Sequence, residues 1–286
     1  MSRIDIQKTY KLYIGGKFPR TESGRYFALH DKKGKLMANM CLASRKDFRN
    51  AVVIARKAQS SWAAASAMNK GQILYRIAEM LEGRKEQFIK ELEIQGSNHK
   101  NALEEVEASI DRLVYYAGWS DKYQQIFSAV NPVSSAHFNF SAPEAMGVVS
   151  VIAPEEQGLL GLISVIAPIL VGGNTAIVLA SKKFSLTAIS FAEVLNSSDV
   201  PSGTVNILTG EREELISHMA SHMDVNAIVY CGNDEGDIKQ IGELASNNIK
   251  RVILYKKKDW SGDYGQSPYF IEKTLEIKTT WHPTKI

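Results

Sequence analysis

One stretch constrains this chain more than any other: Pro154 to Lys183, PEEQGLLGLISVIAPILVGGNTAIVLASKK. A polar loop gives way to an apolar helical run, Leu159 to Val171. Gly172-Gly173-Asn174 then turns the chain into a strand, Ala176 to Ala180. A short β-branched strand, Gly147 to Ala153, precedes the loop. Strand, helix and strand in this order build a parallel sheet. Open α/β sheets bind ligands outside the carboxyl ends of their strands. The loops after Ala153 and Ala180 are therefore the candidate site, and they carry Glu155, Glu156, Lys182 and Lys183.

The same alternation continues downstream. Helices are expected over Ser185–Asn196, Glu211–Ser221 and Asp234–Asn247. Strands are expected over Val205–Leu208, Ala227–Tyr230 and Arg251–Leu254. Repeated β–α units of this kind place the chain in the α/β class, with a Rossmann-like parallel sheet and flanking helices. Upstream, residues 11–42 read as short antiparallel strands. Ser44, with Asp47 three residues on, caps a helix that ends near Trp62. Asn69 is the expected cap of a second helix. A third spans Lys85–Ile94, and a fourth Ala102–Tyr123. Residues 124–142 alternate around Asn131-Pro132 and read as a projecting β-hairpin. After Leu254 comes a polar loop, YKKKDWSGDYGQSP. A last strand follows in FIEKTLEIKTTWHPTKI, with Leu275, Ile277, Thr279 and Trp281 on one side. A lone strand must pair, and the hairpin and a second subunit are the candidates.

At 286 residues the chain makes one large or two small domains. A formal net charge of +3 is too small to point to nucleic acid. The Lys256-Lys257-Lys258 run reads as a solvated loop. Cys41 and Cys231 show no metal spacing and fit free thiols in a reducing compartment. The N-terminal residues lack the apolar core of a signal peptide, and Leu159–Val171 is too short to span a bilayer. A soluble cytoplasmic protein is expected, with neither nucleic acid nor membrane as partner. Cys231, after a buried strand, reads as core filler rather than a nucleophile. His218 and His222 share an i,i+4 spacing but lack the Glu of a zinc-protease motif. Trp281 and His282 fit an interface better than a site. Lys182 and Lys183 are the strongest argument for nucleotide binding, as partners for the 2′-phosphate of a phosphorylated dinucleotide.

In their order the motifs resemble the aldehyde dehydrogenase superfamily. YIGGKF and the following SGR resemble its N-terminal hairpin, and VEASIDRLVYYAGWSDK its fourth helix. APEAMGVVSVIAP, IAPILVGGNTAIVL and VPSGTVNILTG resemble its cofactor-domain strands. LEIKTTWHP resembles its oligomerisation strand, which pairs with the 124–142 hairpin across a dimer. The resemblance implies three parts. Residues 1–123 and 143–255 are the cofactor-domain scaffold. Residues 124–142 and 268–286 are the oligomerisation hairpin and strand, and 256–267 is a linker in place of the catalytic domain.

The chain departs from the family wherever chemistry is done. The family's Pro-Trp-Asn is Pro154-Glu155-Glu156 here, and a carboxylate at Glu156 repels a developing oxyanion. Its Lys-Pro-Ser-Glu becomes Ala180-Ser181-Lys182-Lys183, with the Lys truncated at Ala180 and the Glu reversed in sign at Lys183. Its Phe-Thr-Gly-Ser-Thr becomes Tyr230-Cys231-Gly232-Asn233-Asp234. Asp234, Glu235 and Asp237 then crowd a helix N-terminus that should face phosphates. Its Glu-Leu-Gly-Gly, which holds the general base, becomes Tyr255-Lys256-Lys257-Lys258. The catalytic Cys has no counterpart. The chain is similar in this to the non-catalytic second halves of class-16 aldehyde dehydrogenases. The resemblance thus implies no catalytic residues and no bound cofactor, with NAD or NADP as the cofactor if there is one. It implies a homodimer or a complex with an active aldehyde dehydrogenase subunit, through the hairpin and the terminal strand. The other expectations are a nucleotide-binding regulatory module, or residual NAD(P)-dependent aldehyde oxidation.

Overall fold

The computed structural model describes residues 8–31, 33–256 and 258–284. It begins with a small sheet of β1 (Thr9–Tyr10), β2 (Tyr26–His30) and β3 (Leu36–Cys41), in the order β1-β3-β2. β2 and β3 are antiparallel as expected, but β1 runs parallel to β3. Four helices follow: α1 (Arg45–Ala63), α2 (Ala67–Glu82), α3 (Lys85–Ile94) and α4 (His99–Trp119). The cap of α1 is a complete capping box: Ser44 Oγ accepts from the Asp47 amide, and Asp47 Oδ2 accepts from the Ser44 amide at 2.8 Å. Asp47 is buried and holds the preceding loop as well. It accepts from Thr21 Oγ1 at 2.7 Å and from the Glu22 amide at 3.0 Å.

Three boundaries differ from the sequence expectations. Ser66, not Asn69, caps α2, because the cap residue lies outside the helix and Asn69 supplies the amide that donates to Ser66 Oγ. Asn98 caps α4, so that helix begins a turn earlier than the apolar spacing indicated. The chain leaves α4 after Trp119 and forms α5 (Tyr123–Phe127), which buries Tyr123. QQIF is therefore helical, and the hairpin is shorter at its start and longer at its end: β4 (Ala129–Asn131) and β5 (His137–Ala145).

The central unit follows the predicted alternation. It runs β6 (Val148–Ile152), α6 (Leu160–Val171), β7 (Thr175–Leu179), α7 (Ser185–Asn196), β8 (Val205–Leu208), α8 (Arg212–Ser221), β9 (Ala227–Tyr230), α9 (Glu235–Ala245) and β10 (Arg251–Leu254). All five strands are parallel, in the order β10-β9-β6-β7-β8. β6 and β7 are buried along their whole length, which matches their unbroken apolar runs. α6 is buried on every side, because α2 and α4 pack over it and the sheet lies beneath. The outer edge of β8 is closed by Tyr13, which exchanges two backbone hydrogen bonds with Ile207 at 2.9 and 2.8 Å. Among the described residues no helix is long and apolar enough to cross a membrane.

After β10 the chain makes a compact connection to α10 (Tyr269–Glu272) and β11 (Leu275–Pro283). β11 pairs antiparallel with β5 along all nine of its residues, from Leu275 opposite Ala145 to Pro283 opposite His137. Of the two candidates for this strand, the hairpin of its own chain takes one edge, giving the order β11-β5-β4.

The connection is held from inside by Arg112 of α4, a buried guanidinium. It donates to the carbonyls of Trp260 (2.8 Å) and Gly265 (2.5 Å), to Gln266 Oε1 (2.9 Å), and to Ser164 Oγ on α6. Trp260 is 1% exposed and stacks edge-on against Tyr255 and Phe270. Gly265 must stay glycine: a Cβ there would sit 2.1 Å from the Trp260 carbonyl oxygen.

Two measurements check this account. Arg112→Leu leaves several buried acceptors without a donor and should lower unfolding free energy by about 3 kcal/mol in denaturant titrations, with faster proteolysis between 258 and 267. Asp47→Ala should cost about 2 kcal/mol, more than a cap alone, since buried donors from two segments lose their acceptor.

Candidate functional site

The carboxyl ends of β6, β9 and β10 open on a cleft of about 650 Å³, walled by Glu155, Glu156, Cys231, Gly232, Tyr255 and Trp260. A smaller hollow of about 230 Å³ lies beside it, between the ends of β7 and β8, and includes Ala180, Lys182 and Glu211. Glu155 and Arg212 belong to both. β6 stands where the strand order changes direction, with β7 on one side and β9 on the other. The cleft therefore sits where open α/β sheets bind ligands. Of the positions singled out from sequence, Glu156, Asn233 and Tyr255 line this cleft, Ala180 the hollow, and Asp234 stands at the start of α9.

The N-terminus of α9 is the feature that would receive an anion. It is already occupied by the chain's own acids. Asp234 is the cap, with Oδ1 accepting from the Asp237 amide at 2.9 Å. Asp237 Oδ2 accepts from the Tyr230 hydroxyl at 2.7 Å and lies 3.2 Å from Arg212 Nε. The Arg212 contact is an ion pair without hydrogen-bond alignment, since this buried Nε has no hydrogen-bond partner. The Tyr230 ring crosses the turn, so that a Cβ on Gly232 would come within 2.5 Å of the hydroxyl oxygen. Burial and the Asp237 carboxylate push the Tyr230 phenol well above its ordinary value.

The loop after β7 separates its two lysines. Lys182 Nζ lies 2.5 Å from Glu211 Oε1, over the Phe27 ring, and faces the smaller hollow. Lys183 lies over the Phe184 ring and lines a third hollow, of about 530 Å³, with Glu104, Glu105 and Glu156. The two cations do not converge on a phosphate-sized space. Ser181 Oγ donates to Glu155 Oε2 at 2.6 Å, tying the β6 and β7 loops together.

Glu105 is a residue that sequence reasoning missed. From α4 it reaches the start of α6, where Oε1 accepts from the Leu159 amide at 2.8 Å and the Leu160 amide at 3.3 Å. α6 has no cap of its own, so a carboxylate from another helix supplies it. Burial raises the Glu105 carboxyl above the usual carboxylate range. The available signal was an acidic pair, Glu104-Glu105, beside the apolar stripe of α4, and such a pair ordinarily marks a solvated face.

The remaining candidates resolve as follows. Cys231 is half-buried at the wall of the cleft, and burial pushes its thiol up, which disfavours the thiolate. Tyr255 is buried, with ring centroids 5.6 Å from Trp260 and 5.0 Å from Phe270. The basic run is not a patch: Lys256 pairs with Glu235 at 3.0 Å and Lys258 lies over Phe270, while Lys257 falls outside the described residues. His222 lies just past the end of α8, where Nδ1 accepts from the Asp224 amide and the ring meets Phe48 edge-on. Among the described residues no three His, Cys, Asp or Glu side chains are grouped to hold a metal. Trp281, on β11, is 57% exposed.

Comparison with known proteins sets this geometry in context. The profile of the aldehyde dehydrogenase family matches residues 19–256. The chain is 30% identical over 264 residues to mouse cytosolic 10-formyltetrahydrofolate dehydrogenase, covering 89% of this chain and 29% of that protein. It is 31% identical over 262 residues to aldehyde dehydrogenase, cytosolic 1, of Elephantulus edwardii, covering 89% of this chain and 51% of that one. The NAD+ complex of a Bacillus cereus aldehyde dehydrogenase has the same fold, with a TM-score of 0.82, 24% identity, and coverage of 87% and 51% of the two chains. The chain thus spans at most about half the length of these relatives. With a five-stranded parallel sheet, flanking helices and a family match over most of its length, the chain belongs to the aldehyde dehydrogenase family.

Proposed function

We propose that this chain is a catalytically silent aldehyde dehydrogenase scaffold whose role is assembly, dimerising or docking onto an active aldehyde dehydrogenase subunit. The observation that carries the proposal is the filled N-terminus of α9. Asp234 and Asp237, backed by Tyr230 and Arg212, stand where a pyrophosphate would need free amides and positive potential. The rest of the cleft supports the same reading. Glu156 places a carboxylate, not a hydrogen-bond donor, at the position that would face a developing oxyanion. Ala180 offers no side chain to a ribose, and Lys183 points into a different hollow. The residues present do not fit a dinucleotide.

The connection between β10 and β11 adds a second support. In the family resemblance this is where the catalytic domain would be inserted. Here the connection folds back on the scaffold, sealed by Trp260 and held by Arg112. Meanwhile β11 and the hairpin are kept as a nine-residue antiparallel ladder. Pairing elements are kept, while the aligned positions Glu156, Ala180 and Tyr255 do not carry the family's reactive side chains.

Titration with NAD+ or NADP+ should leave the thermal unfolding midpoint unchanged up to millimolar ligand. A dinucleotide present at a hundred times its Kd would stabilise the fold by about 2.7 kcal/mol and be plainly visible. The purified chain should form no NADH or NADPH from short aliphatic or aromatic aldehydes. A saturable shift with either dinucleotide would support a regulatory nucleotide-binding module instead, and turnover would refute the silent scaffold.

A further inference from the structure

At the end of the parallel sheet away from the cleft, where β6 and β7 begin, a hollow of about 470 Å³ lies between the junction of α1 with α2 and the last residues of β5. Lys70 of α2 lines it and is 5% exposed. Its ammonium donates to one acceptor, the Ala63 carbonyl at 3.1 Å, and lies 6.0 Å from the centre of the Trp62 ring. An ammonium has three protons to donate. Burial lowers the affinity of Lys70 for its proton, and no neighbouring carboxylate offsets that. Among the described residues the one carboxylate on the wall, Glu144, is drawn 2.5 Å from Lys278 instead. Capping the end of α1 explains the contact with Ala63 but not the burial. A lysine caps a helix equally well from the surface, and an ammonium taken out of water without a counter-charge is costly.

We infer that this hollow binds a compact oxyanion, the phosphate or carboxylate group of a small molecule, with Lys70 as its counter-charge. The start of α2 supports the inference independently. Its third and fourth amides are taken, that of Asn69 by Ser66 Oγ and that of Lys70 by the Ser66 carbonyl. The amides of Ala67 and Met68 precede the first helical hydrogen bond and have no partner among the described residues. Ala67 stands on the wall of the hollow, so the positive end of the α2 dipole and the Lys70 charge act on the same space. Ser60, Ser120 and Tyr123 add hydroxyl groups to that wall. The Gly172-Gly173 turn gives the ammonium room: at Gly173, with φ of +81°, a Cβ would come within 3.2 Å of Lys70 Nζ. The volume falls in the range of small-molecule sites. This hollow and the cleft open at opposite ends of the sheet, so the inference stands or falls apart from the silent-scaffold reading.

Calorimetric titration of the full chain with inorganic phosphate, and separately with succinate, tests the inference, with chloride at matched ionic strength as the reference. Saturable binding of phosphate or succinate, but not of chloride, is expected, and the arm that binds more tightly identifies the group. Ser60→Glu places a carboxylate at the exposed rim and should weaken binding at least tenfold. Ser60→Gln, of similar size without the charge, should leave it unchanged. Lys70→Met should abolish binding, with circular dichroism to confirm that the variant folds. Should it not fold, the pair of Ser60 variants decides, since that position is exposed on α1. A chain that binds neither anion, or binds them no better than chloride, overturns the site. So does binding that survives Ser60→Glu undiminished, which would place the anion elsewhere and leave Lys70 as a helix cap alone.

Discussion

A single buried cation organises the half of the molecule that distinguishes it. Arg112 has no carboxylate partner in its hydrogen-bond set. Its guanidinium is satisfied by two carbonyls, an amide side chain and a hydroxyl from two separate segments. Burial lowers its affinity for its proton, yet an arginine remains charged at any ordinary pH. Leaving such a group unpaired in the interior costs far more than a typical hydrogen bond contributes. The connection after β10 must therefore keep its carbonyls turned inward. Trp260 then enters the core, Tyr255 is covered, and the floor of the cleft becomes aromatic.

The cleft is also governed by what fills its helix N-termini. Two helix starts in this region are supplied with carboxylates by the chain itself: α9 by Asp234, and α6, whose first residue lines the neighbouring hollow, by Glu105 from α4. The free amides and dipole that make a helix start attractive to phosphate are thereby already satisfied. The mixture of Glu155, Glu156, Arg212 and Lys258 around the opening gives no single-signed field of the sort that concentrates a charged ligand.

Much of the fold was legible from residue patterns. The spans of α3, α7, β8, β9 and β10 follow directly from apolar runs bounded by Gly, Pro and polar residues. The parallel sheet follows from their alternation. Errors arose where a local signal competed with distant contacts. QQIF alternates like a strand, but Tyr123 gains a buried site by coiling. The start of α4 was misplaced because Asn98 lies before the first apolar residue of its stripe. In the cleft, the acidic character of the α9 start was visible in sequence. The divergence of Lys182 from Lys183 was not, because adjacent residues on a loop share no fixed face. Glu105 was invisible for a related reason: its role exists only once α4 crosses the start of α6.

The ladder between β5 and β11 joins segments separated by about 130 positions, since Ala145 stands opposite Leu275. Contacts of such long sequence separation form late, because the intervening loop must be ordered before they are rewarded. The hairpin must therefore wait, its inner edge bare, while the whole parallel sheet is synthesised and folds beneath it. During that interval on the ribosome its unpaired edge, with Phe138 and Phe140 beside it, is open to any passing strand. A sheet closed by residues this far along the chain thus leaves the β5 edge bare until the last strand has been made.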